Sequence, residues 1–378
     1  MAALTEEQSI LKDQAKSWAT AQAPVTAFRA MRDSGVAQGF APATWESMIE
    51  MGWTGIVVPE SCGGSDLGYL TFGVVLEELG RTLTASPLFS SALVGAAALT
   101  LAGSEAQQQA LLPKVVDGSE VLTLAVDETP RHAPAQTALG AEQTSNGFVL
   151  NGSKTFVTEG LAATTVLVAA RTAGAAGDEA GISLFLVPAD TPGLSRRAMK
   201  VVDSRGYAQL EFKDVEVGAD ALLGAQGEGF AALDQILDVA RAGIGAEMLG
   251  TAAQAFDMTL EYLKTRKQFG KVIGSFQALG HRAAGLFSQL ELSRSCAEAA
   301  LQALDAGDAD AARLCSLSKA KVGDFLHEMS NQLIQIHGGI GMTDEFDAGF
   351  YLKRARALET LFGNQAFHRD RYAKLSGF

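Results

Sequence analysis

The protein has 378 residues, which suggests two or three domains, and 47% of them are hydrophobic, so a large core can form. Thirty basic and 43 acidic side chains give a net charge of −13, which argues against nucleic acid or an anionic membrane as the main partner. The three cysteines and five histidines are scattered without metal-ligand spacing, so neither a disulfide framework nor a metal site is indicated.

The amino-terminal segment and the hydropathy pattern predict a location. The start, MAALTEEQSILKDQ, is acidic and amphipathic, unlike a signal or transit peptide. No run of about 18 or more uninterrupted, strongly apolar residues occurs in the sequence. We therefore expect no membrane span and a reducing, cytoplasmic location.

The first 120 residues are predicted to be helical. Thr5 and Gln8 form a possible capping box, and apolar side chains then recur at helical spacing. Residues 55–68 contain Pro and several Gly and predict a loop. The other helical runs in this region are residues 45–51, 72–83 and 90–101.

From residue 121 the pattern changes to short β-branched and aromatic runs that predict strands. Asn151-Gly152 falls between two of these runs and predicts a two-residue hairpin turn. Several short strands in a segment of this length are typical of a small sandwich or barrel. The predicted strands are residues 121–126, 147–150, 154–157, 165–170, 182–187 and 209–212.

After Gly229 the helical pattern returns, in runs over residues 231–266, 276–306, 308–337 and, more briefly, 351–361. Runs this long fit an antiparallel bundle. The order of helices, strands and helices, without βαβ alternation, argues against Rossmann and TIM-barrel folds. We therefore predict an α+β protein with an N-terminal helical domain (1–120), a central antiparallel β-barrel or sandwich (121–224) and a C-terminal four-helix bundle (225–378).

Generic catalytic and nucleotide-binding motifs do not identify a function. No GxGxxG follows a strand, no GxSxG elbow occurs, and GSKT at residues 152–155 is not a Walker A loop. The residues alone describe a helical protein with a β insert and several glycine-rich turns.

Four segments, in chain order, resemble acyl-CoA dehydrogenases. The resemblance covers nearly the whole chain and implies a flavoprotein of lipid metabolism. Such an enzyme removes the α-proton of an acyl-CoA thioester while a hydride passes from the β-carbon to N5 of FAD. The segments are GIVVPESCGGSDLGYLTFGVVLEELGR (55–81), NGSKTFVTEG (151–160), YLKTRKQFGKVIGSFQALGH (262–281) and QIHGGIGMTDEF (335–346).

The resemblance assigns cofactor contacts to nine residues. A hydroxyl near flavin N5 is expected from Thr158, ring packing from Phe156, and a guanidinium on the pyrophosphate from Arg266. Read without the family, the first two are ordinary strand residues and the third is a solvated helix-end cation. The nine residues are Phe156, Thr158, Arg266, Gln268, Phe269, Gln277, Gln335, Gly338 and Gly339.

The glycine pair in this set bears on oligomerisation. Gly338 and Gly339 would let the backbone approach the dinucleotide, because glycine has no Cβ. In the family these contacts come from a neighbouring subunit, so the resemblance implies a dimer or tetramer. The alternative interpretation of the pair is a plain turn after a helix.

One segment departs from the family pattern. Relatives commonly carry Thr-Glu-Pro followed by a Gly-Ser-Asp turn, whereas this chain has LTLAVDETPRHAPAQ at residues 122–136. Glu128 is a candidate match for the family glutamate, but the glycine-rich turn is missing. Flavin contacts from the backbone at Val126 and Asp127 are therefore left open.

The family's catalytic carboxylate is also missing. A weakly acidic α-proton needs a positioned base, which most relatives place as a Glu before a Gly-Thr pair. That position is Phe362 here, followed by Gly363 and Asn364. Some relatives use a Glu immediately before an Arg on an earlier helix, and that position is Ala240 here. Neither side chain can accept a proton, so no catalytic residue is assigned.

Three nearby carboxylates are candidates for a relocated base: Glu359, Asp238 and Glu247. Displacement by one helical turn moves a group by about 5 Å, and reacting groups tolerate about 1 Å poorly. Asp238 is instead a candidate contact to the CoA arm, and Arg241 a second substrate contact.

Three functions remain open at this point. The first is a subunit that shares FAD with a base-bearing paralogue, as in bacterial assemblies that act on steroid side-chain acyl-CoA esters. The second is a self-sufficient dehydrogenase with a relocated base, and the third is a non-catalytic FAD- or acyl-CoA-binding subunit. The resemblance implies an electron-transfer flavoprotein as electron acceptor.

Overall fold

The computed structural model describes residues 4–378 and divides into two compact units. The first unit contains the described residues up to Arg29 together with Tyr69–Thr84 and Arg241–Phe378. The second contains Ala30–Gly68 and Ala85–Ala240. Within the described residues, no helix has the length and hydropathy to cross a membrane. The division into domains at residues 120 and 224 stays a prediction.

The amino-terminal region is helical, as predicted, and the capping box is confirmed. Thr5 Oγ1 accepts the backbone N–H of Gln8 at 3.2 Å, and the Gln8 side chain accepts the Thr5 N–H at 3.1 Å. The predicted run at residues 90–101 begins with a π-helical segment, Leu88–Gly95. The helices are α1 (Glu6–Gln22), α2 (Val25–Ser34), α3 (Pro42–Glu50), α4 (Gly68–Arg81), α5 (Ala96–Ala102) and α6 (Glu105–Val116).

The middle region forms one eight-stranded sheet in the order β6-β7-β3-β2-β4-β5-β8, with β1 paired to β4. Most pairs are antiparallel, and β1 runs parallel to β4. The α+β class is confirmed, but the sheet is not closed into the predicted barrel. The strands are β1 (Leu122–Ala125), β2 (Gly140–Gln143), β3 (Gly147–Thr158), β4 (Thr165–Arg171), β5 (Ile182–Pro188), β6 (Leu194–Met199), β7 (Tyr207–Gly218) and β8 (Leu222–Leu223).

The predicted hairpin at Asn151-Gly152 is wrong, because β3 runs through both residues. A register shift between β3 and β7 at this point marks a β-bulge. Gly152 has φ +142°, and a Cβ there would lie 2.9 Å from the Leu139 backbone. The hairpin turn between β2 and β3 instead uses the other Asn-Gly pair, at residues 146 and 147, where Thr144 N–H bonds the Gly147 carbonyl.

One face of the sheet carries an apolar core. The rings of Phe148 and Phe185 meet edge to face at 4.9 Å between centroids, a pairing worth about 0.5–1.5 kcal/mol beyond its buried area. Alternate residues of the strands surround them, because strand side chains point to opposite faces. The fully buried members include Leu150, Val166, Val168, Val187, Leu210 and Val215.

The carboxy-terminal region is helical, as predicted, and its described part has five helices rather than four. A two-stranded hairpin, β9 (Lys267–Gln268) and β10 (Lys271–Val272), separates the first two helices. The helices are α7 (Gly229–Thr265), α8 (Gln277–Asp305), α9 (Ala311–His337), α10 (Ala348–Thr360) and α11 (Gln365–Leu375).

Two glycines bring α4 and α7 into backbone contact inside the first unit. A Cβ on Gly250 would lie 1.8 Å from the Glu77 carbonyl oxygen, and one on Gly80 would lie 2.4 Å from the Glu247 carbonyl oxygen. No side chain fits at either position, so α4 and α7 pack at a distance that only glycine permits.

Candidate cofactor and substrate site

Phe156 lies on β3 in the second unit, at a break in the strand's pairing with β7. The register shifts between Lys154 and Val157, and Phe156 has φ +53°. A non-glycine residue in this left-handed region costs of order 1–3 kcal/mol unless its surroundings hold it there. Met199 of β6 provides one such contact, since its Sδ lies 3.4 Å from the Phe156 amide nitrogen. The bulge turns the half-buried ring out of the strand's regular alternation.

Thr158 closes β3, and its backbone is held tightly. The Thr123 hydroxyl donates to the Thr158 carbonyl at 2.5 Å. Thr158 itself is only 6% exposed, yet its hydroxyl hydrogen-bonds no other group among residues 4–378. The hydroxyl oxygen is not among the fully enclosed polar atoms, so a ligand atom can reach it.

A buried ion pair organises the segment that departs from the family pattern. Lys154 is fully buried, and its ammonium donates to Glu128 Oε1 and to the Val126 carbonyl, each at 2.8 Å. Burial lowers the pKa of Lys154, an effect that Glu128 opposes. The Glu128 carboxylate also accepts the N–H groups of Ala138 and Leu139. Glu128 therefore fixes the loop that follows β1, a role the sequence did not predict.

The segment after α7 carries three of the predicted cofactor residues. Arg266 lies just beyond the helix end and is exposed, and its guanidinium bonds no described residue. Phe269 (φ +53°) and Gly270 (φ +78°) form the turn between β9 and β10, the geometry of a type I′ hairpin. The Phe269 ring is 90% exposed. An exposed guanidinium beside an exposed ring suits a dinucleotide with anionic phosphates.

The predicted glycine turn follows α9 directly. Gly338 has φ +62° and ψ −135°, a conformation that side chains rarely adopt. Gly339 has no positive φ, and a Cβ there would meet nothing within 4 Å. Within the described residues, neither the backbone conformation nor a close contact requires glycine at position 339. A second molecule close to the backbone would give one.

The structure brings these two segments together in the first unit. The rings of Tyr262, on the last turns of α7, and His337, the last residue of α9, lie 4.2 Å apart. The Phe346 ring also packs against His337, at 4.7 Å between centroids. His337 Nδ1 bonds the Leu333 carbonyl at 2.7 Å, so it carries the proton, and burial lowers the pKa of the ring. This aromatic stack fixes the end of α7, and hence Arg266, beside the Gly338 turn.

Two further predicted cofactor residues lie at helix ends of the same unit. Gln277 begins α8, is exposed, and contacts His281 across one turn at 3.5 Å. Gln335 lies on the last turn of α9 and is exposed. Their contacts to a cofactor stay a prediction.

The two positions that the resemblance assigns to the base are apolar and buried. Phe362 follows α10, is 4% exposed and has φ +54°. Its carbonyl accepts a hydrogen bond from His368 Nε2 at 3.1 Å, which settles the proton on that ring nitrogen. Ala240 is fully buried on α7 in the second unit. Neither side chain has an acid–base group.

A buried lysine holds the turn that carries Phe362. The Lys319 ammonium, on α9, donates to the carbonyls of Leu358, Glu359 and Gly363 at 2.9, 3.2 and 2.9 Å. The first two carbonyls belong to the last turn of α10, whose carbonyls lack partners within the helix, and Gly363 lies just beyond it. Burial lowers the pKa of Lys319 to about 7; the Glu359 charge opposes this and the Arg241 charge adds to it. No local pattern in the sequence predicts this role for Lys319.

Cations contact the candidate relocated bases Glu247 and Glu359. Arg354 donates from Nε and Nη2 to Oε1 of Glu247, at 3.0 and 2.8 Å, and both side chains are buried. Glu359 is bonded by Arg356 and by His327 Nδ1, the latter at 3.0 Å. These contacts hold both carboxylates in place.

The predicted substrate contacts, Asp238 and Arg241, both lie on α7 and both are buried. Asp238 belongs to the second unit and Arg241 to the first. The Arg241 guanidinium lies 5.7 Å from the Phe367 ring centroid, within reach of a cation–π contact.

Three domain models of the acyl-CoA dehydrogenase family match most of the chain. The N-terminal domain matches residues 5–119, the middle domain residues 130–215 and the C-terminal domain residues 227–376. The chain is 31% identical to the probable acyl-CoA dehydrogenase YngJ of Bacillus subtilis, over 97% of each sequence.

Solved structures agree with these matches over nearly the full length. A steroid ACAD variant designated Tcur3481-Tcur3483 is 30% identical over 98% of each chain, with a TM-score of 0.87. A chain described with the electron transferring flavoprotein of Acidaminococcus fermentans is 27% identical, covers 100% of this chain and 99% of its own, and has a TM-score of 0.91. The protein therefore belongs to the acyl-CoA dehydrogenase family, whose members are FAD-dependent flavoproteins.

Proposed function

We propose that this chain is the flavin-binding subunit of an acyl-CoA dehydrogenase that takes its catalytic base from a paralogous subunit. The observation that carries the proposal is the burial of Phe362, which stands where the resemblance places the family's carboxylate. Ala240, at the second position, is equally unable to accept a proton. The domain boundaries at residues 120 and 224 are part of the same proposal.

The residues present fit FAD. Thr158 would donate its hydroxyl near the flavin ring and Phe156 would pack on it. In the oligomer, Arg266 would bind the pyrophosphate of a neighbouring subunit's FAD. Gln268, Phe269 and Gln277, together with the turn from Gln335 to Gly339, would line the rest of that dinucleotide. When bound, FAD accepts the hydride from the β-carbon. Asp238 and Arg241 would contact the acyl-CoA.

Removal of the α-proton is the step for which this chain lacks a catalytic base. Hydride transfer needs concurrent removal of the α-proton, which a carboxylate performs in the family. Glu247 and Glu359 are each held by an arginine. A carboxylate from another polypeptide would complete the reaction.

Replacement of Phe362 tests this account. Phe362→Glu restores the missing carboxylate, and the matched variant Phe362→Gln has the same length without the charge. We expect anaerobic flavin reduction by acyl-CoA to increase in the Glu variant alone. Equal rates in the two variants, both retaining FAD, would remove position 362 from the proton-transfer geometry.

The partner is a second subunit of related sequence, and the electron acceptor is an electron-transfer flavoprotein. Two of the similar structures support these choices. The steroid ACAD carries a double designation, Tcur3481-Tcur3483, which suits two subunits. The other structure is described with an electron transferring flavoprotein. Co-expression with a paralogue should produce a yellow hetero-oligomer, either dimer or tetramer, that is bleached by acyl-CoA. A colourless chain that binds CoA esters with or without the paralogue would favour a non-catalytic subunit.

A self-sufficient dehydrogenase is the second candidate, and Asp238 is the residue that favours it. Asp238 is buried, as a displaced base would be. Asp238→Asn distinguishes the candidates. Loss of flavin bleaching in a chain that reacts without any partner would identify Asp238 as the base, whereas weaker substrate binding alone would assign it to the CoA arm.

A further inference from the structure

One cation in the second unit binds the turn directly after Thr158. The Arg196 Nη1 donates to the carbonyls of Gly160, Leu161 and Ala163 at 3.1, 3.2 and 2.9 Å. All three contacts run from a single nitrogen to backbone atoms. Arg196 is half-buried on β6, the strand at one edge of the sheet.

The turn that Arg196 binds is a single helical turn. The Glu159 carbonyl accepts the N–H groups of Ala162 and Ala163 at 2.9 and 3.0 Å. The carbonyls that follow have no partners within the turn, as at any helix C-terminus, where a cation is favourable. Glu159 has φ +49°, so the chain reverses in a conformation that its surroundings must hold.

The edge strand β6 also contacts the residues just before Thr158. Met199 Sδ lies 3.4 Å from the Phe156 nitrogen and 3.6 Å from Thr155 Oγ1. β6 therefore contacts both sides of Thr158, through Met199 before it and Arg196 after it.

We propose that Arg196 is a positioning residue for the flavin, acting through the turn at residues 159–163 to fix the direction of the Thr158 hydroxyl. The inference rests on the proposed role of Thr158 at the flavin. Without the cation, the turn would lose three hydrogen bonds to one charged donor. The hydroxyl at the end of β3 would then sample several orientations, and FAD would bind in a less defined environment.

The chain offers a matched control in the next residue. Arg197 is exposed, points to the opposite face of β6, and bonds the Gln209 side chain at 2.6 Å. Arg196→Ala and Arg197→Ala therefore remove the same side chain from the same strand. Arg196→Lys tests the geometry further, because one ammonium has three donors and can serve the same three carbonyls.

The experiment measures these variants, with Thr158→Ala, in the FAD-loaded protein and its flavin-free form. For Arg196→Ala we expect an FAD dissociation constant raised about tenfold, the scale of one charge-assisted hydrogen bond. The visible circular dichroism of the bound flavin should also change. Hydrogen exchange in residues 159–163 of the flavin-free protein should accelerate. Arg196→Lys should restore these properties, and Arg197→Ala should leave them unchanged.

Each outcome is decisive. If Thr158→Ala alters the flavin spectrum and Arg196→Ala leaves it as in the wild type, the role of Arg196 is refuted and the flavin site stands. If neither variant alters the spectrum, the proposed placement of the flavin fails as well. Accelerated exchange with an unchanged flavin spectrum would reduce Arg196 to a fold-stabilising residue and overturn the proposal.

Discussion

Arg354 binds Glu247 through two nitrogens, Nε at 3.0 Å and Nη2 at 2.8 Å, both directed at the same carboxylate oxygen. Both side chains are buried, and they lie 107 residues apart in the chain. A buried pair of this kind tolerates the loss of one partner poorly, since the other charge then remains in an apolar environment. Glu247 is thus placed as a structural carboxylate of the helical unit.

The first prediction is a strong coupling between these two residues. Glu247→Ala and Arg354→Ala should each lower the free energy of unfolding by about 3–5 kcal/mol. The double variant should lose much less free energy of unfolding than the sum of the two single losses, because no unpaired charge is left. Urea unfolding of the four proteins measures the coupling. Additive losses would mean that the pair does not interact, and would return Glu247 to the list of candidate bases.

The second prediction concerns Lys319 and pH. Burial lowers the pKa of Lys319 to about 7 in the folded protein, against about 10.4 in the unfolded chain. Between these values the unfolded chain binds more protons at this residue, so its contribution to the free energy of unfolding rises with pH. Below about pH 7 the full cost of the depressed pKa is present.

Lys319→Met is the variant that isolates this contribution. It removes the titrating group but also leaves three carbonyls without a donor, at about 1–3 kcal/mol for each buried group. We expect the wild type to gain stability over the variant as the pH rises from about 7 to about 10. Urea unfolding across this range measures the difference. A difference independent of pH would show that Lys319 keeps its charge in the folded state throughout.

The third prediction separates two adjacent glycines. Gly338→Ala places a side chain at φ +62° and should lower the free energy of unfolding by about 1–3 kcal/mol. Gly339→Ala meets no atom within 4 Å, so the stability of the flavin-free protein should stay within about 0.5 kcal/mol. Its effect should appear in the FAD dissociation constant, which should rise. Unchanged FAD affinity in Gly339→Ala would place the dinucleotide elsewhere.

The fourth prediction concerns Arg266. Arg266→Ala should lower the FAD content of the purified protein, since the guanidinium would bind the pyrophosphate. Lys264→Ala is the matched control, because Lys264 is an exposed cation two residues earlier whose ammonium bonds Glu261 at 2.8 Å. Flavin absorbance per protein measures the occupancy. Equal losses in both variants would indicate general electrostatics rather than a phosphate contact.

Local pattern predicted the long elements of the fold well. The apolar runs that became α7, α8 and α9 are long enough for their helical period to be read directly. By contrast, β6 was missed, since Arg196, Arg197 and their neighbours leave it mostly exposed without an apolar face. Strand β8 has two residues and exists only through its pairing with β5. The sequence carries no signal for such an element.

The wrong hairpin has a specific cause. The chain contains two Asn-Gly pairs, at residues 146–147 and 151–152, and both favour the same turn. Pairing along β7 decides between them: it continues past Asn151, whose side chain bonds the Asp214 backbone N–H at 2.8 Å. Turn propensity is a local property, whereas the position of this hairpin turn depends on pairing with a strand some 60 residues later in the chain.

The candidate site was predictable only where family resemblance supplied roles. The structure places Tyr262 against His337, and so brings the Arg266 segment to the Gly338 turn. The contacts of Arg354 with Glu247 and of His327 with Glu359 were not predictable, because each joins two different helices. Arg356 contacts Glu359 within α10 at i, i+3 spacing. Arg196 and Lys319 act on backbone carbonyls, and no sequence pattern marks such contacts.

The central claim is that no residue of this chain accepts the α-proton of the thioester. Anaerobic titration of the FAD-loaded chain with acyl-CoA esters, first alone and then with a base-bearing paralogue, tests it most directly. We predict that the flavin absorbance persists in the first titration and bleaches in the second. Stoichiometric bleaching of the flavin by acyl-CoA in the chain alone would contradict the account.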